Sequence, residues 1–158
     1  MQRESRREFL TAGAGIAASS AFVGNASAQS QMVINDPSVV REVEAAFAGY
    51  YRAFAINDVA ALNGFFYDSP VTVRYGNGEM LYGFAEISSY RSSVTAAPGP
   101  AKHERTVITT YGRDFATAST LNRRRPGRVG RTMQTWVRFP HGWRIVAAHV
   151  STIDEPAK

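Results

Sequence analysis

A chain of 158 residues in which 44% of side chains are apolar and 11% aromatic has material for one hydrophobic core and does not read as disordered. It contains no cysteine, which excludes disulfides, thiolate catalysis and cysteine-ligated zinc. The formal charge is +5, but its main cluster, Arg123, Arg124, Arg125, Arg128 and Arg131, has no aromatic residue interleaved with it. Nucleic acid is therefore not the expected partner, and the cluster reads as a solvated hairpin tip around Pro126-Gly127.

The chain opens with Ser5-Arg6-Arg7-Glu8-Phe9-Leu10, continues through a mildly apolar Gly/Ala/Ser-rich stretch from Thr11 to Gly24, and reaches Ala26-Ser27-Ala28. Paired arginines, an apolar stretch too short to span a bilayer, and small residues suited to a signal peptidase read as a twin-arginine export signal. Residues 1–28 are expected to be removed, 29–35 to form a linker, and 36–154 to form a single periplasmic domain without stable membrane insertion. Cleavage takes away three arginines and two glutamates, leaving 15 basic and 11 acidic residues and a net charge of +4.

From Asp36 to Phe54 the apolar positions Val39, Val40, Val43, Phe47, Tyr50, Tyr51 and Phe54 follow helical spacing, with Asp36 as N-cap and Pro37 in the first turn. A short second helix starts at Asp58 and stops before Asp68-Ser69-Pro70. Val71 to Tyr75 and Glu79 to Tyr82 flank Gly76-Asn77-Gly78, the signature of two short strands and a turn. A third helix is expected from Phe84 to about Ser93, with Ile87 and Tyr90 buried.

Four strand-like segments follow: Arg105 to Tyr111, Phe115 to Asn122, Val129 to Phe139, and Trp143 to Ser151. Their short connections make neighbours antiparallel, so helices followed by a strand meander describe an α+β layer. If His141-Gly142 is a two-residue hairpin loop, Gln134 opposes His149, Trp136 opposes Ala147, and the four share a face. The other face then carries Thr135, Val137, Val146, Ala148 and Val150. A sheet apolar on both sides predicts a homodimer through its outer face.

There is no Gly-rich phosphate loop, Gly-x-Ser-x-Gly elbow or His-Glu-x-x-His motif, and His103, His141 and His149 lie in three different segments, so neither a metal nor an organic cofactor is expected. Arg74 interrupts a run of β-formers. Its guanidinium must reach water, pair with an acid of the chain such as Asp68 or Glu79, or hold the carboxylate of a ligand. Tyr50 shares the inward stripe of the first helix, either as a core residue with a satisfied hydroxyl or as a proton donor supported by a nearby cation such as Arg74. His149 is read as inward beside Gln134, and Arg91 as an ordinary helical arginine.

The segments Phe66-Tyr67-Asp68-Ser69-Pro70-Val71-Thr72-Val73-Arg74-Tyr75-Gly76, Thr109-Thr110-Tyr111-Gly112-Arg113-Asp114-Phe115-Ala116-Thr117-Ala118, Gln134-Thr135-Trp136-Val137-Arg138 and Gly142-Trp143-Arg144-Ile145-Val146-Ala147-Ala148-His149-Val150-Ser151 together resemble the AtzH-like family, which includes the oxalurate-catabolism protein HpxZ. The resemblance spans about Asp36 to Ile153. It implies a nuclear transport factor 2-like (cystatin-like, SnoaL-like) cone, dimeric, with a curved antiparallel sheet wrapped on a long N-terminal helix. It also implies decarboxylating amide hydrolysis of a small ureido or amido carboxylate. By that likeness Arg74 anchors the substrate carboxylate and Tyr50 is its catalytic companion; Gln134, His149, Trp136, Arg91 and Ser69 are the candidate substrate contacts. Two other functions suit such a fold: a non-catalytic binding or dimerisation module, and a ketosteroid-isomerase-like isomerase or polyketide cyclase. The latter needs an inward acid, for which Asp68 is the nearby candidate.

Overall fold

Asp36 starts the first helix by accepting a 2.8 Å hydrogen bond from the Ser38 backbone N–H, and the Ser38 hydroxyl and N–H hold its carboxyl below the usual range. The helix, α1, runs Pro37–Ile56 and buries Val39, Val43, Phe47, Tyr50 and Ala53 along one stripe. Asn57 ends it in the left-handed conformation that asparagine tolerates, and its side-chain amide donates to the Val94 carbonyl at 2.6 Å. Asp58 then caps α2, Val59–Phe65. The computed structural model describes residues 32–123 and 126–155, so the expected export signal, Arg124 and Arg125 lie outside the described residues.

Strands β1, Val73–Tyr75, and β2, Met80–Tyr82, form the expected hairpin, followed by α3, Phe84–Ser93. Gly83 caps α3 with φ of 83°, and a Cβ there would press on Pro70 at 3.4 Å, so two constraints converge on glycine. The meander is β3, Lys102–Tyr111; β4, Phe115–Arg123; β5, Arg128–Phe139; and β6, Gly142–Asp154. All six strands join one sheet in the order β2-β1-β6-β5-β4-β3. The pairing is antiparallel except between β1 and β6, which run parallel, as the long stretch of chain between them allows.

The core forms where the α1 stripe, Leu62 and Phe66 meet Ile87 of α3 and the inner face of the sheet, Ala116, Ala118, Trp136, Ile145 and Ala148. Burying these side chains supplies the main driving force, at about 25 cal/mol per Å² of apolar surface removed from water. At the C-terminal end of the expected 29–35 linker, Ile34 bridges Tyr111 and Asn35 exchanges hydrogen bonds with Thr110 along the edge of β3. At the hairpin tip Arg123 pairs with Glu104 and Glu155, both at 2.7 Å, and Arg128 pairs with Asp154 at 3.3 Å.

The register corrects one expectation. The hairpin loop is Pro140-His141, with Phe139 opposite Gly142, and a bulge follows, because Trp136 faces Ile145 while Thr135 faces Ala147, leaving Val146 as the extra residue. One extra residue exchanges the faces of everything beyond it. Gln134 therefore opposes Ala148, which turns inward and is buried, and Met133 opposes His149, which turns outward and is exposed.

Candidate functional site

The inner face of the sheet carries one continuous row. Arg74 on β1 lies beside Ala148 on β6, Ala148 beside Gln134 on β5, and Gln134 beside Ala118 on β4, and all four are buried. Neighbouring strands stand about 4.8 Å apart, so Arg74 and Gln134 are about 10 Å apart across the single methyl of Ala148. The small residue keeps the middle of this floor low.

Helices supply the groups above it. The Arg91 guanidinium on α3, in a residue only 3% exposed, donates from NH2 to the Tyr50 hydroxyl on α1 at 2.8 Å. Its carbon lies 5.5 Å from the Phe54 ring centre and 5.7 Å from that of Phe66, so aromatic faces surround the charge. The chain continues through Phe65, whose ring centre is 6.0 Å from that of Tyr50 and 6.4 Å from that of Trp136. The Asn57–Val94 bond and a 3.0 Å bond from the Asn63 amide to the Ser88 hydroxyl tie α3 to the other two helices and set the aim of Arg91.

Among the described residues Arg91 has no acidic partner, and its Nε, the Gln134 Oε1 and the Trp136 Nε1 are buried without a hydrogen-bond partner. Leaving a buried polar group unpaired costs about 1–3 kcal/mol, and more for a charge. These three, beside the equally unmatched Asn63 Oδ1 and Thr110 Oγ1, are two donors and one acceptor, the groups that a carboxylate carrying an amide or ureido N–H would meet.

Arg74 is inward as well, 6% exposed, but Glu79 engages its guanidinium. Of the outcomes open to Arg74 on sequence, pairing with Glu79 is the one observed, and the guanidinium that meets the Tyr50 phenol, with no carboxylate partner among the described residues, is that of Arg91 rather than the expected Arg74. Burial pushes the Glu79 carboxyl up, yet Arg74, the Gly78 N–H and the Tyr90 hydroxyl together hold it below the usual range. Burial and Glu79 raise the Tyr90 phenol in turn.

The other expected contacts divide. Gln134 and Trp136 are inward and buried, as read from the sequence. His149 is on the outer face, its ring 6.3 Å from that of Tyr75, so it does not meet Gln134. The Ser69 hydroxyl accepts from the Val71 N–H at 3.3 Å and its carbonyl accepts from the Phe84 N–H at 3.0 Å, which places it in the turn before β1. Asp68 is exposed and supplies no inward base of the kind an isomerase needs. A concavity of about 580 Å³ lies on the opposite side of the sheet, bordered by Arg105, Val107, Leu121, Arg131, Met133 and His149, and does not include Arg91 or Tyr50. Arg91 joins a buried charge to an unmatched hydrogen-bonding group, whereas this concavity is an open sheet face. No group of residues suited to holding a metal ion occurs among the described residues.

A family model described as AtzH-like matches residues 32–156. A crystal structure from Pectobacterium atrosepticum, described as a protein with unknown function from the DUF3225 family, is 48% identical, with a TM-score of 0.74, covering 78% of this chain and 99% of that one. A cystatin-like fold protein from Burkholderia xenovorans is 46% identical, with a TM-score of 0.76, covering 79% of this chain and 99% of that one. A nuclear transport factor 2-like superfamily protein from Salmonella enterica is 25% identical, with a TM-score of 0.60, covering 77% and 94%. No curated protein matched. The fold is the nuclear transport factor 2-like, cystatin-like α+β fold.

Proposed function

The chain belongs to the AtzH-like family, and from that premise we propose that it is a small-molecule enzyme that holds a ureido or amido carboxylate between Arg91, Tyr50 and Gln134 and cleaves it by decarboxylating amide hydrolysis, exported to the periplasm. The observation that carries this reading is the buried Arg91 guanidinium, with no acid among the described residues paired to it and its Nε unmatched. An uncompensated buried cation is expensive, and a ligand carboxylate removes that cost while using the planar donor fork of arginine.

The chemistry follows from the neighbours. The Tyr50 oxygen is held by the guanidinium, so its own O–H is free to donate to a carbonyl oxygen or to a departing nitrogen. For loss of carbon dioxide from an N-carboxylated substrate, the C–N bond breaks and its electron pair remains on nitrogen. Nitrogen takes the phenol proton, carbon leaves as carbon dioxide, and water restores the phenol. Gln134 Oε1 accepts the N–H of the bound ureido or amido group and fixes its orientation. None of these steps calls for a metal or an organic cofactor.

Assembly is part of the proposal. The outer sheet face exposes Val107, Leu121 and Met133, and a second copy covering it makes a homodimer.

The test is calorimetry with hydantoate, a ureido acid that cannot undergo this step, together with product analysis on allophanate, whose carboxylate is bonded to the ureido nitrogen. Arg91-dependent binding with turnover supports the enzyme. Binding without product replaces it with a binding module of the same fold, and hydantoate binding that survives Arg91→Gln overturns the site.

A further inference from the structure

The inner face of the sheet changes character along β4 and β5. Its first rows pair Ala116 with Trp136 and Ala118 with Gln134, and the next pair Thr120 with Thr132 and Asn122 with Gly130. Thr120, Asn122 and Thr132 are all buried. A sheet face that served only to pack against helices would stay apolar through these rows, because hydroxyls and amides taken out of water need partners.

Two of the three are accounted for. The Thr120 hydroxyl meets His103 Nδ1 at 3.1 Å and the Thr106 hydroxyl at 3.0 Å. The Asn122 amide lies across Gly130, where a Cβ would come within 2.5 Å of its oxygen, so it closes the trough at this end of β5. Thr132 is the exception. It sits between Thr120 and Val150, 8% exposed, and among the described residues no hydrogen bond engages its hydroxyl.

Thr132 is also two residues from Gln134 on the same face of β5, so the two side chains stand about 7 Å apart along the strand. Gln134 Oε1 is the buried acceptor without a partner, and the Thr132 hydroxyl is the next polar group on the side away from Trp136. A ureido group has an N–H on each of two nitrogens and fits such a pair of acceptors, whereas an acylamino group has only one.

We infer that Thr132 is a specificity-determining residue of the site: its hydroxyl accepts from the terminal nitrogen of a ureido group whose inner N–H is held by Gln134, so the site prefers a ureido acid to the matching acylamino acid. The inference rests on the reading of Arg91 as the carboxylate anchor. A methyl in place of the terminal amino group leaves the hydroxyl facing an apolar group, and a desolvated polar group without a partner costs affinity.

The test compares hydantoate with N-acetylglycine by titration calorimetry. The two share the carboxylate, the inner N–H and the carbonyl, and differ in amino against methyl. Wild type is expected to bind hydantoate about three- to tenfold more tightly, the scale of one neutral hydrogen bond. Thr132→Val, which keeps the shape of the side chain, should bring the two affinities together, and Thr132→Ser, which keeps the hydroxyl, should retain the preference. If Thr132→Val does not fold, Thr132→Ala reads the same ratio. A merely structural role would weaken both ligands alike. A ratio unchanged in the folded variant, or lost equally in Thr132→Ser, with hydantoate binding still dependent on Arg91, overturns the role of Thr132 alone. Hydantoate binding that is absent, or indifferent to Arg91→Gln, overturns the carboxylate site and this inference with it.

Discussion

The Tyr50 hydroxyl accepts a 2.8 Å hydrogen bond from the Arg91 NH2 group, joining α1 to α3 in the interior of the protein. Tyr50→Phe removes the acceptor and leaves a buried guanidinium with neither that bond nor a partner for Nε. We expect a loss of about 1–3 kcal/mol in urea unfolding, together with loss of turnover. Tyr50→Phe combined with Arg91→Met removes both partners at once, so it should be less destabilised than Tyr50→Phe alone while losing carboxylate binding. A double variant as unstable as the sum of its singles would show that the bond is not what links the two helices.

Ala148 stands between Arg74 and Gln134 on the floor of the site and is 6% exposed. Ala148→Leu adds three carbons where a ligand would rest. Overpacking should cost about 1–3 kcal/mol, and hydantoate affinity should fall more than stability does. Unchanged affinity in a folded Ala148→Leu protein would place the ligand elsewhere.

The elements themselves were legible because their signals are local. Asp36 with Pro37, Asp58, and the Gly76-Asn77-Gly78 turn each mark a boundary within a residue or two of where the structure puts it. The inward turn of Tyr50 followed from helical spacing alone. The bulge at Val146 was not legible, because no neighbouring residue distinguishes it and it exists only as a mismatch between two paired strands. That one residue moved His149 out of the site and Ala148 into it. The parallel pairing of β1 with β6, which sets Arg74 beside Ala148, joins segments distant in sequence. Arg91 carried a signal that was available: it follows Ile87 by four residues and so shares its buried face. A single arginine on a helix is nevertheless ordinarily solvated, and its burial without an acidic partner among the described residues is what distinguishes this one.

The outer sheet face presents Met133, 57% exposed, beside Leu121 and Val107, on the side opposite Arg91. Met133→Lys should shift the proposed dimer to monomer in sedimentation velocity, since one charge placed at the centre of an isologous contact appears twice. Hydantoate binding should survive, because the substitution lies across the sheet from the site. A wild-type protein that is monomeric at micromolar concentrations removes the assembly proposal.

The Arg74–Glu79 pair sets an acid limit on stability. Burial raises the Glu79 carboxyl, but the Arg74 hydrogen bond and charge, with the Gly78 N–H and the Tyr90 hydroxyl, bring it below its ordinary value of 4.5. A carboxyl whose folded value is depressed stabilises the fold fully above the unfolded value and loses that contribution as the pH falls through the folded one. The stability difference between wild type and Glu79→Gln should therefore be constant from neutral pH down to about pH 5 and shrink at lower pH. Chemical unfolding at a series of pH values measures it. A difference that grows on acidification would mean that the carboxyl is protonated more readily in the folded protein than in the unfolded chain, and that Arg74 does not hold it ionised.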